Sequence, residues 1–201
     1  MKPELLAPAG SPAALHAAVD AGADAVYFGA QSFNARKNAE NFTEEGLYDA
    51  IRYCRLFCVK THIVLNTQLY NRELEPAVAL VRQLLLWGAD AFLVADIGLA
   101  ATLIRRFPNI VLHASTQACG QNVLSAEELS KIGFQRMVAP RELSLEDIRT
   151  LCRNSPIETE IFVHGALCAS HSGQCLFSSV IGGRSGNRGE CAQPCRLPYQ
   201  A

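Results

Sequence analysis

The sequence lacks an excess of charge and a long apolar run. Its 18 Lys and Arg residues nearly balance its 19 Asp and Glu residues, and the formal net charge is -1. A nucleic-acid-binding surface would therefore have to be a local basic patch, because the chain as a whole has no positive field. No apolar run approaches the roughly 18 residues that a membrane-spanning helix needs. The first residues also lack a basic stretch followed by an apolar one, so we expect no secretory signal and a cytoplasmic location.

The sequence also lacks the common patterns of hydrolases and nucleotide-binding proteins. It contains no His-Glu-x-x-His, no phosphate-binding glycine loop and no ordered Ser, His and Asp triad. The sequence therefore shows none of these catalytic motifs that would indicate a peptidase mechanism. Hydrophobic residues, in contrast, make up 49% of the chain and charged residues 18%, a balance that excludes a disordered protein.

Short apolar runs alternate with helix-like stretches from residue 4 to about residue 165. The predicted strands are Glu4–Ala7, Ala25–Gly29, Thr61–Asn66, Phe92–Ala95, Ile110–Ala114, Met137–Ala139 and Thr159–His164. The predicted helices are Ala13–Ala21, Glu44–Phe57, Leu74–Trp87, Ile97–Arg106, Ala126–Ile132 and Ser144–Cys152. Strict β/α alternation predicts an α/β fold with a parallel sheet, either a TIM-like (β/α) barrel or an open doubly wound sheet. We favour the barrel over residues 1–165, incomplete because no eighth strand is visible.

Cysteine is abundant, and half of it is concentrated near the end of the chain. Four of the eight cysteines lie in residues 166–201, here called the Cys segment, with the spacing Cys168-x6-Cys175-x15-Cys191-x3-Cys195. Disulfides are rare in a reducing compartment, so four thiols in a glycine-rich stretch predict a metal centre. The wide spacing fits a [4Fe–4S] cluster, whereas a zinc ion bound by the same four thiolates is the alternative.

Polar residues follow the predicted strands at the end where barrel enzymes place their active sites. We expect acid–base roles for His113 and His164, and a catalytic role for Glu142 and for Arg141, which would bind a carboxylate. The expected substrate-binding residues are Arg36, Asn66, Asp96, Gln117, Arg184 and Arg188. Asp96 has a structural alternative as the cap of the following helix, and the arginines as solvated loop residues.

Five short motifs and one long block resemble the peptidase U32 family, and within it the branch of RNA-hydroxylation proteins that includes the ribosomal-RNA cytidine hydroxylases. The motifs are Glu4–Gly10, Gly22–Tyr27, His113–Gln117, Arg141–Leu145 and Phe162–Cys168. The most specific block is Ser172–Cys175 followed by Gly182–Tyr199, which reads GGRSGNRGECAQPCRLPY. The resemblance extends over essentially all 201 residues.

The resemblance implies an iron–sulfur enzyme that hydroxylates a pyrimidine base of ribosomal or transfer RNA and depends on prephenate, a small anionic metabolite. An electron donor, which the sequence does not identify, would also be needed. Cys168, Cys175 and Cys191 fall on the ligand positions of the family, and the fourth ligand is Cys195 or a residue beyond Ala201. At His171 the family usually has tyrosine. The family label keeps a second function open, that of a collagenase-like peptidase, and a zinc-stabilised scaffold without enzymatic activity is the third.

Overall fold

The computed structural model describes residues 2–35, 40–165 and 167–199. Seven parallel strands form one sheet in chain order, from β1 to β7. The strands are β1 Leu6–Pro8, β2 Ala25–Gly29, β3 Lys60–Leu65, β4 Ala91–Val94, β5 Leu112–Ala114, β6 Arg136–Val138 and β7 Glu158–Glu160. The sheet curls into a half-barrel, and β1 and β7 are not paired with each other within the described residues. The prediction of a parallel α/β fold is thus confirmed.

Six helices connect the strands on the outside of the sheet. They are α1 Pro12–Asp20, α2 Glu44–Leu56, α3 Asn71–Trp87, α4 Ile97–Arg106, α5 Val123–Ile132 and α6 Leu145–Asn154. Five of them begin at a residue whose side chain accepts a backbone N–H bond from the first turn, as good N-caps do: Ser11, Thr43, Asp96, Asn122 and Ser144. Gly88 and Gly133 end α3 and α5 in the left-handed conformation that glycine adopts without strain.

The hydrophobic core lies between the helices and the outer face of the strands. Phe92 on β4, Leu84 on α3 and Leu103 on α4 are completely buried there. Side chains of a strand point alternately to its two faces, so the residues on either side of Phe92 in β4 face the interior of the half-barrel. That interior holds several of the polar residues described below. Within the described residues, no helix is long and apolar enough to cross a membrane.

The last predicted strand ends earlier in the structure than the sequence pattern indicated. The strand expected over Thr159–His164 is Glu158–Glu160, and the apolar residues that follow it, Ile161 to Val163, are exposed. An edge strand pairs on one side only, so its apolar run has less to hold it extended. The Cys segment contains a further α-helix, α7, Phe177–Gly182. That helix has only six residues, too few for a recognisable apolar period.

Candidate functional site

A polar network lies where β3 and β5 end, at the mouth of the half-barrel. The Asn66 amide donates to the Ser115 hydroxyl at 3.3 Å and its oxygen accepts the Ala35 N–H at 2.8 Å. With its amide nitrogen turned toward them, Gln117 donates to the carbonyl oxygens of Asn66 and Asn187, both at 3.2 Å. The structure therefore brings Asn66 and Gln117 together, and Asn187 joins the Cys segment to them.

The Cys segment is held against this mouth by the loop after β6. The Glu142 carboxylate accepts the Ser172 N–H at 2.9 Å and the Ser172 hydroxyl at 3.1 Å, and His171 lies 3.4 Å away. Burial alone would raise the pKa of Glu142, but the bonds from Ser172 lower it. The carboxylate expected to be catalytic is therefore occupied in positioning the Cys segment.

Gly173 sits against the loop after β5, and the Cys119 thiol there donates to the Ser172 carbonyl at 3.0 Å. A Cβ at Gly173 would lie 2.8 Å from that sulfur and 2.9 Å from the Gln117 carbonyl oxygen. Its φ of +73° is also one that glycine adopts readily. Only glycine permits this approach between the Cys segment and the mouth.

Arg188 forms the third attachment of the Cys segment. Its guanidinium makes two bonds to Glu73, at 2.7 and 3.1 Å, and also donates to the Gln68 carbonyl. It lies 4.3 Å from the centre of the Tyr70 ring. These contacts join the Cys segment to the start of α3, and the binding of substrate by Arg188 stays a prediction.

Asp96 is likewise explained by the fold. One carboxylate oxygen accepts the Leu99 N–H at 2.8 Å and caps α4, and the other accepts the Leu69 N–H at 3.0 Å. The capping interpretation of Asp96 is confirmed, and its expected contact with substrate stays a prediction. Both carboxylate oxygens of Asp96 already accept a hydrogen bond from a backbone N–H group.

Three of the predicted residues are exposed or half-buried. Arg141 lies 4.6 Å from the centre of the Phe162 ring, just beyond β7. His164 and Arg184 are exposed. Arg184 has no side-chain partner within the described part of the chain. Arg36 lies outside the described residues. These groups keep a positive or ionisable surface beside the Cys segment, and their roles stay predictions.

The Cys segment offers a donor set that suits an iron–sulfur cluster. All four cysteines are free thiols, three of them exposed and Cys175 half-buried. The Cys191 sulfur accepts the Gln193 N–H at 3.4 Å and the Ser178 hydroxyl at 3.8 Å, as an anionic sulfur ligand requires. A Cβ at Gly186 would lie 3.7 Å from the Cys191 Cβ and 3.8 Å from the Cys175 carbonyl, so these two ligand positions adjoin. Arg196 donates to the Leu167 carbonyl at 3.0 Å, which links the flanks of Cys195 and Cys168.

The four thiols are not gathered as a single zinc ion would gather them. A tetrahedral zinc ion holds its thiolate sulfurs roughly 4 Å apart. In residues 2–35, 40–165 and 167–199, one group of three or more such side chains has its ligand atoms within 4.8 Å of one another, and it contains no cysteine. A four-iron cluster places its ligands farther apart. Four thiolates suit a [4Fe–4S] cluster in chemistry, as they also suit a zinc ion, and the cofactor and its ligands stay predictions.

His113 lies deeper than expected, inside the half-barrel. It is the middle residue of β5, and 4% of its surface is exposed. Burial lowers the pKa of His113 to about 3, helped by the neighbouring His62, whose own pKa burial lowers to about 4. Both imidazoles are therefore neutral, and a role for His113 at the mouth does not match its position.

Sequence reasoning missed the companions of His113. His62 on β3 stacks edge-on against it at 4.8 Å between ring centres, and Glu160 on β7 completes the group. Arg136 of β6 lies beside them and pairs with Glu4, Glu158 and Glu160. Alternation along the strands was the available signal, since His62, His113 and Glu160 all occupy inward positions.

Known proteins resemble this chain in sequence and in fold. The family model described as "Peptidase family U32" matches residues 10–201. The 23S rRNA 5-hydroxycytidine C2501 synthase of Escherichia coli (strain K12) is 43% identical over 196 residues, which is 98% of this chain and 29% of that protein. The tRNA hydroxylation protein P1 of Bacillus subtilis (strain 168) is 36% identical over 198 residues, 98% of this chain and 47% of that protein. The chain thus spans less than half the length of either relative.

Among solved structures, the U32 peptidase Mk0906 superposes with a TM-score of 0.68 and 14% sequence identity. The match covers 80% of this chain and 68% of that one. At this identity the likeness concerns the fold alone, and it agrees with the curled parallel sheet described above.

Proposed function

Since the chain belongs to peptidase family U32, we propose that it forms the cluster-binding part of an enzyme that hydroxylates a pyrimidine base of RNA. The observation that supports this most is the attachment of the Cys segment to the mouth of the half-barrel through Glu142, Gly173 and Arg188. Barrel enzymes carry out their chemistry at that end of the strands. Relatives at 36–43% identity are named for the hydroxylation of RNA.

In this proposal Cys168, Cys175, Cys191 and Cys195 hold a [4Fe–4S] cluster. When bound, the cluster supplies one-electron transfer. Ser178 and the Gln193 N–H stabilise the Cys191 thiolate by donating to its sulfur. Glu142, by accepting both Ser172 donors, fixes the chain between Cys168 and Cys175.

The exposed and half-buried cationic side chains beside the Cys segment suit the anions that this reaction needs. Arg141 and Arg184 present guanidinium groups that bind carboxylate or phosphate, and His164 lies on the same stretch between β7 and Cys168. We assign them to the anionic co-substrate, for which prephenate is the expected compound, and to the RNA backbone. The balanced charge of the whole chain is compatible with such a local patch.

The proposal is tested on the full-length protein, purified without oxygen. We expect about four irons and four sulfides per chain. Cys191→Ser should lose most of both, whereas Cys152→Ser, at an exposed cysteine on α6, should keep them. In a deletion strain, mass analysis of RNA should show one hydroxyl missing, restored by the wild type and by Cys152→Ser but not by Cys191→Ser.

Two results would contradict the proposal. One zinc and no sulfide would indicate a closed structural site and favour the scaffold. An unchanged RNA mass profile in the deletion strain would remove RNA hydroxylation, and cleavage of gelatin by the same preparation would then support the peptidase.

A further inference from the structure

We propose that His62, His113 and Glu160 form a binding site for one divalent transition-metal ion inside the half-barrel. One ligand atom from each of the three lies within 4.8 Å of the others, close enough to surround a single ion. Two imidazoles and one carboxylate are a donor set of mononuclear iron, zinc and related sites, and they leave coordination positions open. Imidazole ligands favour these metals over magnesium or calcium.

The strand register explains why these three residues meet. On β4, the partner of His62 is Ala91 and the partner of His113 is Leu93, so the pairing is offset by two residues between β3 and β5. On β6, the partner of His113 is Arg136 and the partner of Glu160 is Val138, which is the same offset of two residues between β5 and β7. In barrels of this kind, alternate strands contribute the side chains of one interior layer. His62, His113 and Glu160 are the β3, β5 and β7 members of such a layer.

Each of the two imidazoles has one ring nitrogen without a hydrogen-bond partner among the described residues. His62 and His113 are 2% and 4% exposed, and the Nδ1 atom of each is buried without a hydrogen-bond partner in the part of the chain that the structure describes. A buried polar nitrogen without a partner is unfavourable, because it has lost its bond to water and gained none in return. Neutral imidazole, the form that burial favours here, is also the form that binds a metal.

Arg136 is the competing group, because its guanidinium lies 3.4 Å from Glu160. It is nearer to Glu4, at 2.8 Å, and to Glu158, at 2.7 Å. These two carboxylates satisfy Arg136 without Glu160, whose longer contact can be exchanged for a metal. The other charged groups that act on His62 are Lys60, which pairs with Glu4, and Asp90, which bonds to Thr61. The surroundings thus hold four carboxylates and two cations, an excess that accommodates a divalent ion.

This site is separate from the Cys segment. His62 precedes Asn66 by four residues and His113 precedes Ser115 by two, which places them roughly 13 and 7 Å below the mouth at the usual rise of a strand. A test of this metal site therefore has an outcome that does not depend on whether the Cys segment binds an iron–sulfur cluster.

The test is a titration of the full-length protein with Co²⁺ alone, followed by visible spectroscopy. We expect a component with weak d–d bands and without the intense charge-transfer absorption of cobalt thiolates. Glu160→Gln and His62→Gln should each weaken that component about a hundredfold. The matched controls are Glu158→Gln, which also removes a partner of Arg136, and His16→Gln on the exposed face of α1; both should stay within about fivefold of the wild type.

The spectrum of the wild type decides the matter even if a variant does not fold. Cobalt bound only through thiolates, or not bound at all, would overturn the site. Equal weakening by Glu160→Gln and Glu158→Gln in folded protein would do the same, because it would trace the effect to Arg136.

Discussion

The interior of the half-barrel and the Cys segment hold their reactive side chains by opposite means. His62 and His113 are fixed by a parallel sheet that hydrogen-bonds through consecutive strands, and both are almost fully buried. Three of the four cysteines of the Cys segment are exposed. A few side-chain contacts, from Glu142, Cys119 and Arg188, attach that segment to the rest. The barrel is therefore ordered by its own core, whereas the Cys segment is held by a small number of contacts with the loops at the mouth.

The largest expected effect separates the two regions by their contribution to global stability. Phe92→Ala removes a fully buried ring of β4 and should lower the free energy of unfolding by about 3–5 kcal/mol. Leu176→Ala, in the Cys segment and 64% exposed, should change it by no more than about 0.5 kcal/mol. Urea unfolding followed by far-UV circular dichroism measures both. Equal losses would show that the Cys segment is part of the same cooperative core.

The next effect concerns the ion pairs at the lower end of the barrel. Burial alone would raise the pKa of Glu4, but Lys60 and Arg136 lower it to about 2, from an ordinary value of 4.5. A lowered folded pKa gives stability above pH 4.5 that is lost as the pH falls toward 2. Glu4→Gln should therefore cost about 2 kcal/mol at pH 7 and nothing below pH about 2.

Unfolding curves of wild type and Glu4→Gln across this pH range check that prediction. Glu75→Gln is the control, because Glu75 makes its ion pair with Arg106 at 70% side-chain exposure, where solvent screens the pair, and its loss should have the smaller effect. A Glu4→Gln effect that did not change with pH would mean that the loss comes from packing and not from charge.

The smallest effect tests how the Cys segment is attached. Gly173→Ala places a methyl group 2.8 Å from the Cys119 sulfur and strains a left-handed residue, which should loosen the contact by about 1–2 kcal/mol. The rate at which a thiol reagent labels Cys119 should then rise roughly tenfold. Gly182→Ala, with nothing within 4 Å of the added atom, should leave the rate unchanged. Site-resolved mass spectrometry measures both variants, and equal rates would contradict the attachment.

Sequence periodicity was enough for the β/α order, because each strand and helix is a local pattern with its own caps. It was less informative where an element depends on a neighbour, as at β7, where the strand ends at Glu160 and not at His164. The site shows the same division. Asn66 and Gln117 meet at the mouth as their strand-end positions predicted. Glu142 and Arg188 were predicted to contact substrate, but a carboxylate or guanidinium in a loop has no sequence signal that distinguishes a ligand contact from an internal one.

The sequence by itself determined the alternating α/β order, the four clustered thiols and the polar ends of the strands, because these depend on residues close together in the chain. Only the tertiary structure decided that Glu142, Gly173 and Arg188 attach the Cys segment to the mouth. It also decided that His62, His113 and Glu160 share one interior layer. Those contacts join residues far apart in sequence, and the register of neighbouring strands, which no local pattern encodes, sets which of them meet.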